Sequence, residues 1–229
     1  MDKRSKYAQI IMLHVFISGP IRPSMNDVLL CLRTLKAQLP PCKIWFSTWE
    51  TSQPLDTLRA EVDVLIVNPE PVFRSHAKTF EARAYPNTTD GNAARTFKMF
   101  VGIENIFKVA HCIYDDIVIR FRSDLLARFA PGYLQRLIDV SKYGYVTRRR
   151  KTSYVGLDDW FGVATYAAMR NVWCHGSLQE FERNMNVSHN AEDMVKRRVD
   201  AHGLRILQID ETKIDFALCR PENGRYRLN

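Results

Sequence analysis

Residues 113–129 read IYDDIVIRFRSDLLARF, and the direction of the chain through them decides how the rest is read. Ile117 to Arg122 is an apolar run broken by Arg120 and Arg122, the pattern of a buried strand. Asp115 and Asp116 stand before it and Asp124 after it. A strand of about six residues spans roughly 20 Å, which places the pair and Asp124 at opposite edges of a sheet. Open α/β sheets bind ligands at the carboxyl ends of their strands. Asp124 therefore lies on the ligand edge, where its plainer reading is a turn or helix cap. Asp115 and Asp116 read as turn residues.

Outward from this strand, strand and helix patterns alternate over the first 140 residues. QIIMLHVFISGPIR (residues 9–22) predicts a first strand closed by a Gly-Pro turn. MNDVLLCLRTLKAQLPP (25–41) has apolar residues at helical spacing and is stopped by Pro40 and Pro41. KIWFST and VDVLIVN predict two more strands, and the stretch from Pro69 to Gly91 reads as a long loop. NAARTFKMFVGIENIFKVA (92–110) predicts a helix of about five turns. Beyond residue 130 the expected order is a helix over PGYLQRLIDVSKY, a short strand at YVT and a strand at WFGVA. Helices at Tyr166–Trp173, Leu178–Asn184 and Asn190–His202 follow, then a strand LRILQI and a tail. This order predicts an α/β domain with a mostly parallel central sheet.

Composition narrows the function classes. The 229 residues are 46% hydrophobic and 25% charged, sufficient for a sizeable core. The apolar run Ile10 to Ile17 contains His14 and is far shorter than the roughly 20 residues of a membrane helix. A soluble, cytoplasmic-side protein is the expectation. Five cysteines stand singly with no C-x-x-C pair, so reduced thiols are expected. The formal charge of +8 favours an anionic partner: a nucleotide, a nucleic acid or an acidic membrane surface. No G-x-G-x-x-G follows strand one and no G-x-x-x-x-G-K-[ST] occurs, so neither a dinucleotide fingerprint nor a P-loop is supported.

Each candidate has a functional and a plain reading. Gly19, Pro20 and Arg22 follow strand one, where they form either a nucleotide-contacting loop or a simple tight turn. Ser47, Thr48, Trp49 and Glu50 end strand two on the same edge; Trp49 either stacks on a base or covers the core. Asp158 and Asp159 enter a hydrophobic strand, a setting for a raised-pKa general base or for an Asx-type turn cap. Arg148, Arg149, Arg150 and Lys151 form a solvated loop, or else meet a phosphate-bearing acceptor or a membrane surface. His189 stands where Ser188 or Asn190 caps a helix whose first turn carries Glu192 and Asp193; a metal-binding role is the lesser reading. No RNP, KH or helix-turn-helix pattern appears, so no nucleic-acid partner is expected.

In order, VFISGPIR, KIWFSTWE, NAARTF, DIVIRFRSDLL, DDWFGVA and NAEDMVKRRVDAHGL resemble the WavE-like lipopolysaccharide-synthesis glycosyltransferases, relatives of the GT-A nucleotide-sugar transferases. The similarity runs over roughly residues 10 to 209. It implies a GT-A-like three-layer sandwich in a single domain, with a nucleotide-binding part at about 8–130 and an acceptor part at about 131–229. It also implies transfer of a sugar from a nucleoside diphosphate to an acceptor hydroxyl of a glycan or glycolipid, in polysaccharide biosynthesis. In GT-A enzymes a D-x-D holds Mn²⁺ or Mg²⁺ on the diphosphate. The matching segment here is Arg122-Ser123-Asp124, which keeps one acid and assigns the metal to Asp124. Arg22, Arg95 and Arg122 are then candidates for the phosphates, and Gly19, Thr48 and Trp49 for the nucleoside. Asp159 or Asp158 is the base of an inverting transfer. The expected donor is a UDP-, GDP- or dTDP-linked sugar, with peripheral contact at the cytoplasmic membrane face. A nucleotidyltransferase of similar fold and a non-catalytic basic module are the alternatives.

Overall fold

A computed structural model describes residues 11–73, 91–148, 156–186, 188, 190–219 and 227–228. The long loop before the 92–110 helix lies largely outside the described residues. So do Arg149, Arg150, Lys151 and His189.

Strand β1 (Leu13–Ser18) is followed by helix α1 (Met25–Lys36), β2 (Lys43–Trp49), α2 (Asp56–Glu61) and β3 (Val64–Asn68). Helix α3 (Gly91–Val109) leads to β4 (Ile117–Arg122), β5 (Leu125–Phe129), α4 (Tyr133–Ser141) and β6 (Tyr145–Thr147). Then come β7 (Phe161–Thr165), α5 (Tyr166–Trp173), α6 (Leu178–Asn186), α7 (Ala191–Ala201) and β8 (Ile206–Gln208). Strands β9 (Ile214–Leu218) and β10 (Arg227–Leu228) close the order. Local chemistry sets the helix starts. Ser24 accepts the Asp27 N–H at the head of α1, and Asn190 accepts that of Asp193 at the head of α7. Of the two caps considered for α7, Asn190 is the one used.

The central sheet has the order β3-β2-β1-β4-β7-β6-β8. Strands β3, β2, β1 and β4 are mutually parallel, whereas β7 runs against both β4 and β6. Helices α3, α5, α6 and α7 cover one face, over Phe16, Val118 and Ala164, with Trp173 at the end of α5 fully buried. Helices α1, α2 and α4 cover the other, over Val15, Phe46, Ile119 and Val163. The result is the mostly parallel three-layer α/β sandwich expected of a GT-A-like chain. Among the described residues no helix is long and apolar enough to cross a membrane.

The sequence reading left out α2 and the second sheet, β10-β9-β5. Helix α2 is six residues long, and Leu55 at its head gives no side-chain cap, so it carries few local signals. Strand β5 begins one turn after β4 and pairs antiparallel with β9, from Leu125↔Leu218 to Phe129↔Ile214. That turn, Ser123-Asp124, joins the two sheets.

The acidic pair before β4 also differs from expectation. Asp115 is exposed, but Asp116 is buried and does more than turn the chain. Its carboxylate accepts the N–H groups of Met12 and Ile113, each at 2.9 Å, and lies 3.2 Å from His14 Nε2. The Trp45 indole N–H donates to His14 Nδ1 at 3.2 Å. An indole can only donate, so Nδ1 is the acceptor and Nε2 carries the proton toward Asp116. Burial lowers the His14 pKa against the pull of Asp116.

Candidate active site

The carboxyl edge collects its residues through strand direction. Strands β1, β2 and β4 point their ends there, and antiparallel β7 brings its start to the same edge: Arg122 N–H donates to the Trp160 carbonyl at 3.2 Å. Asp158, Asp159 and Trp160 therefore stand beside Ser123 and Asp124, although distant in sequence.

At the centre is a carboxylate held by guanidinium groups. Arg122 Nε donates to Asp124 Oδ1 at 2.9 Å and Nη2 donates to Oδ2 at 2.8 Å, a bidentate fork. Residues i and i+2 at a strand end project to one side, which makes this local pairing available. Arg22, from the loop after β1, adds Nε at 3.3 Å from Oδ2. The Asp124 side chain is 2% exposed, that of Arg122 12% and that of Arg22 51%. Burial works against the Arg122 charge, but Asp124, Asp159 and Asp158 together outweigh it and raise its pKa.

The second acidic pair is built into the same wall. Asp158 is fully buried; it accepts Arg148 Nε at 3.1 Å and the Trp160 N–H at 3.0 Å, the Asx-type turn considered for it. Asp159 is also buried, and its carbonyl accepts from Arg120 Nη1. The Trp160 ring has Arg122 at 5.8 Å and Arg148 at 5.0 Å from its centroid. Arg22 and Arg122 thus pair with Asp124 and Arg148 with Asp158, while Arg120 reaches the Asp159 backbone carbonyl.

Arg120 and Trp160 were not singled out in sequence. Arg120 is completely buried under Trp173, its guanidinium carbon 4.4 Å from that ring. Burial pushes its pKa down to about 10, opposed first by Asp159. Two arginines in an otherwise apolar strand were the available signal, since spacing of two puts Arg120 on the same side as Arg122. For Trp160 the signal was the DWF triplet.

Other candidates have a more structural part. Gly19 has φ +143° and its N–H donates to the Ser47 carbonyl at 3.1 Å. A methyl there would sit 2.4 Å from Ser123 Oγ, so glycine lets the β1 loop close on the β4–β5 turn. Ser123 completes the joint by donating to the Pro20 carbonyl at 2.9 Å. Thr48 is fully buried. Trp49 is buried with its indole against Gly102 of α3, so of its two readings the core-covering one fits. Arg95 is exposed near the start of α3 and is not among the cations paired with Asp124.

The donor set does not suit a divalent ion. Mg²⁺ and Mn²⁺ call for several oxygen ligands, but both Asp124 oxygens accept from arginines and position 122 is itself an arginine. Among the described residues the one group of three ligand-type side chains is His14, Cys112 and Asp116, at the opposite edge. There His14 Nε2 carries a proton, and burial pushes the Cys112 thiol up to about 12, away from the thiolate a metal needs.

Two cavities lie away from this edge. One of about 470 Å³ lies between the end of α1 and α2, and one of about 350 Å³ lies between α3 and residues 175–181. Neither is lined by Arg22, Arg122 or Asp124.

A solved structure shares this architecture. A galactosyltransferase, LgtC, crystallised with donor and acceptor sugar analogues, superposes with a TM-score of 0.53 at 10% identity, covering 86% of this chain and 73% of its own. The chain has a GT-A-like fold. Mouse xyloside xylosyltransferase 1 matches at a TM-score of 0.47 and 10% identity over 88% of this chain and 86% of its own. A 4-diphosphocytidyl-2C-methyl-D-erythritol synthase matches at 0.46 and 11% over 89% and 90%. No protein-family model and no curated protein sequence matches the chain.

Proposed function

We propose that this GT-A-like chain is a glycosyltransferase that moves a sugar from a nucleoside-diphosphate sugar to an acceptor hydroxyl of a glycan or glycolipid, as its resemblance to the WavE-like enzymes implies. One observation carries the reading. The loop after β1, the end of β4 and the start of β7 bring Arg22, Arg122, Asp124 and the Asp158–Asp159 pair to one carboxyl edge.

The chemistry assigns a part to each. As the anomeric C–O bond breaks, its electron pair passes to a phosphate oxygen of the departing nucleoside diphosphate. Arg22 and Arg122 stabilise the charge that develops there, because fixed cationic donors need no reorganisation during the step. The acceptor oxygen forms the new bond to the anomeric carbon, and its proton goes to a carboxylate. Asp159, or its neighbour Asp158, takes that role at the start of β7. The +8 charge of the chain fits an anionic donor and contact with an acidic membrane surface that presents the acceptor.

The test is product analysis of the purified chain with UDP-, GDP- and dTDP-sugars and a hydroxyl acceptor. The expected product is free nucleoside diphosphate. Pyrophosphate release from a nucleoside triphosphate and a sugar phosphate, with no nucleoside diphosphate formed from any sugar nucleotide, would replace this reading by a nucleotidyltransferase.

A further inference from the structure

Resting on the glycosyltransferase reading, we infer that the diphosphate of the donor is held by arginines without a divalent metal, and that Asp124 is the anchor of those arginines. In a metal-dependent site a carboxylate turns its oxygens to the cation. Here Oδ1 and Oδ2 of Asp124 receive the Arg122 fork at 2.9 and 2.8 Å, and Oδ2 also faces Arg22 at 3.3 Å. A metal on these oxygens would have to displace a guanidinium that cannot lose its charge. It would then stand next to that displaced cation.

The arrangement suits phosphate better. Arg122 spends Nε and Nη2 on Asp124, and Nη1 takes no part in that fork. Arg22 reaches Asp124 through Nε with half its side chain exposed at the edge. Asp124 is itself tied in place: its carbonyl accepts the Cys219 N–H at 2.9 Å, which fastens the β4–β5 turn to the second sheet. Asp124 thus fixes two planar cations in direction, and planar guanidinium groups match phosphate oxygens bidentately. The two arginines supply the positive charge, and the carboxylate between them the orientation, that a metal supplies elsewhere.

The experiment is calorimetric titration of UDP, GDP and dTDP into the full chain, first in EDTA and then in excess Mn²⁺ or Mg²⁺. For the nucleotide that binds, the dissociation constant should change by less than about threefold between the two conditions. Arg22→Ala, at a half-exposed position, should weaken binding about tenfold or more in both, from loss of a charge-assisted contact. Sugar transfer or donor hydrolysis should persist in EDTA. Binding that requires Mn²⁺ or Mg²⁺ overturns the inference and leaves the glycosyltransferase reading standing. No binding of any nucleoside diphosphate in either condition overturns both.

Discussion

Replacing Asp124 by asparagine removes one charge and almost no volume, so it isolates what the carboxylate does for the fold. That carboxylate is nearly inaccessible, and the Arg122 side chain forked onto it is 12% exposed. Taking away one partner of a buried ion pair leaves the other charge without its counter-ion, at a cost of about 3–5 kcal/mol. Asparagine keeps one acceptor oxygen, and Asp159 still attracts Arg122, so the lower end, about 3 kcal/mol, is expected. The Arg22 contact contributes under about 1 kcal/mol, because that side chain is half in solvent. In urea, with a slope of about 3 kcal/mol/M for a chain of this size, Asp124→Asn should lower the midpoint by about 1 M. Arg22→Ala should lower it by no more than about 0.3 M. A carboxylate kept ready for a metal behaves in the opposite way: its removal relieves strain and leaves stability unchanged or higher. An Asp124→Asn protein as stable as the parent would refute the anchoring role. Equal losses from Asp124→Asn and Arg22→Ala would refute the burial argument.

Three further outcomes follow from neighbouring residues. Burial, reinforced by Arg198, pushes the His175 pKa down to about 3. The unfolded chain therefore takes up the proton first, and the contribution is complete above about pH 6.5 and shrinks as pH falls toward 3. Between pH 6.5 and 5 the parent should lose about 2 kcal/mol more than His175→Phe in chemical unfolding; parallel pH curves would contradict this. Gly19→Ala meets both a positive φ and Ser123 Oγ at 2.4 Å, a cost of about 2–3 kcal/mol. Adding Ser123→Ala should recover part of it, and a strictly additive double-mutant cycle would count against the contact. Asp116→Ala leaves three donors without their acceptor and should cost about 3 kcal/mol. Asp115→Ala should stay within about 0.5 kcal/mol by thermal melting; the reverse order would show that the buried network is misassigned.

Much of this arrangement was legible in the sequence, for reasons that differ by residue. Apolar runs of strand length alternating with helical spacing specified the parallel half of the sheet, and strand direction alone separated Asp124 from Asp115 and Asp116. The pairing of Arg122 with Asp124 was also within reach, because spacing of two along a strand is a statement about side. The position of Arg22 on the same carboxylate was not, since a loop carries no periodicity. The core-covering part of Trp49 was one of its two readings, but its contact with Gly102 of α3 was not visible in the sequence. The β5–β9 pairing joins residues some 90 apart, and no local pattern records a contact of that range. Asp116 shows a related difficulty. Its turn was visible, but its burial is set by His14 and Trp45 from two other strands.

The central claim is that the carboxyl edge of β1 and β4 is where a nucleoside diphosphate sits. A crystal structure of the chain with the nucleoside diphosphate that binds it, grown in EDTA, tests this most directly. The account predicts phosphate oxygens at about 3 Å from the guanidinium nitrogens of Arg22 and Arg122, with Arg122 still forked onto Asp124. A diphosphate bound away from these two arginines, or bridged to Asp124 only by an added metal ion, would contradict it.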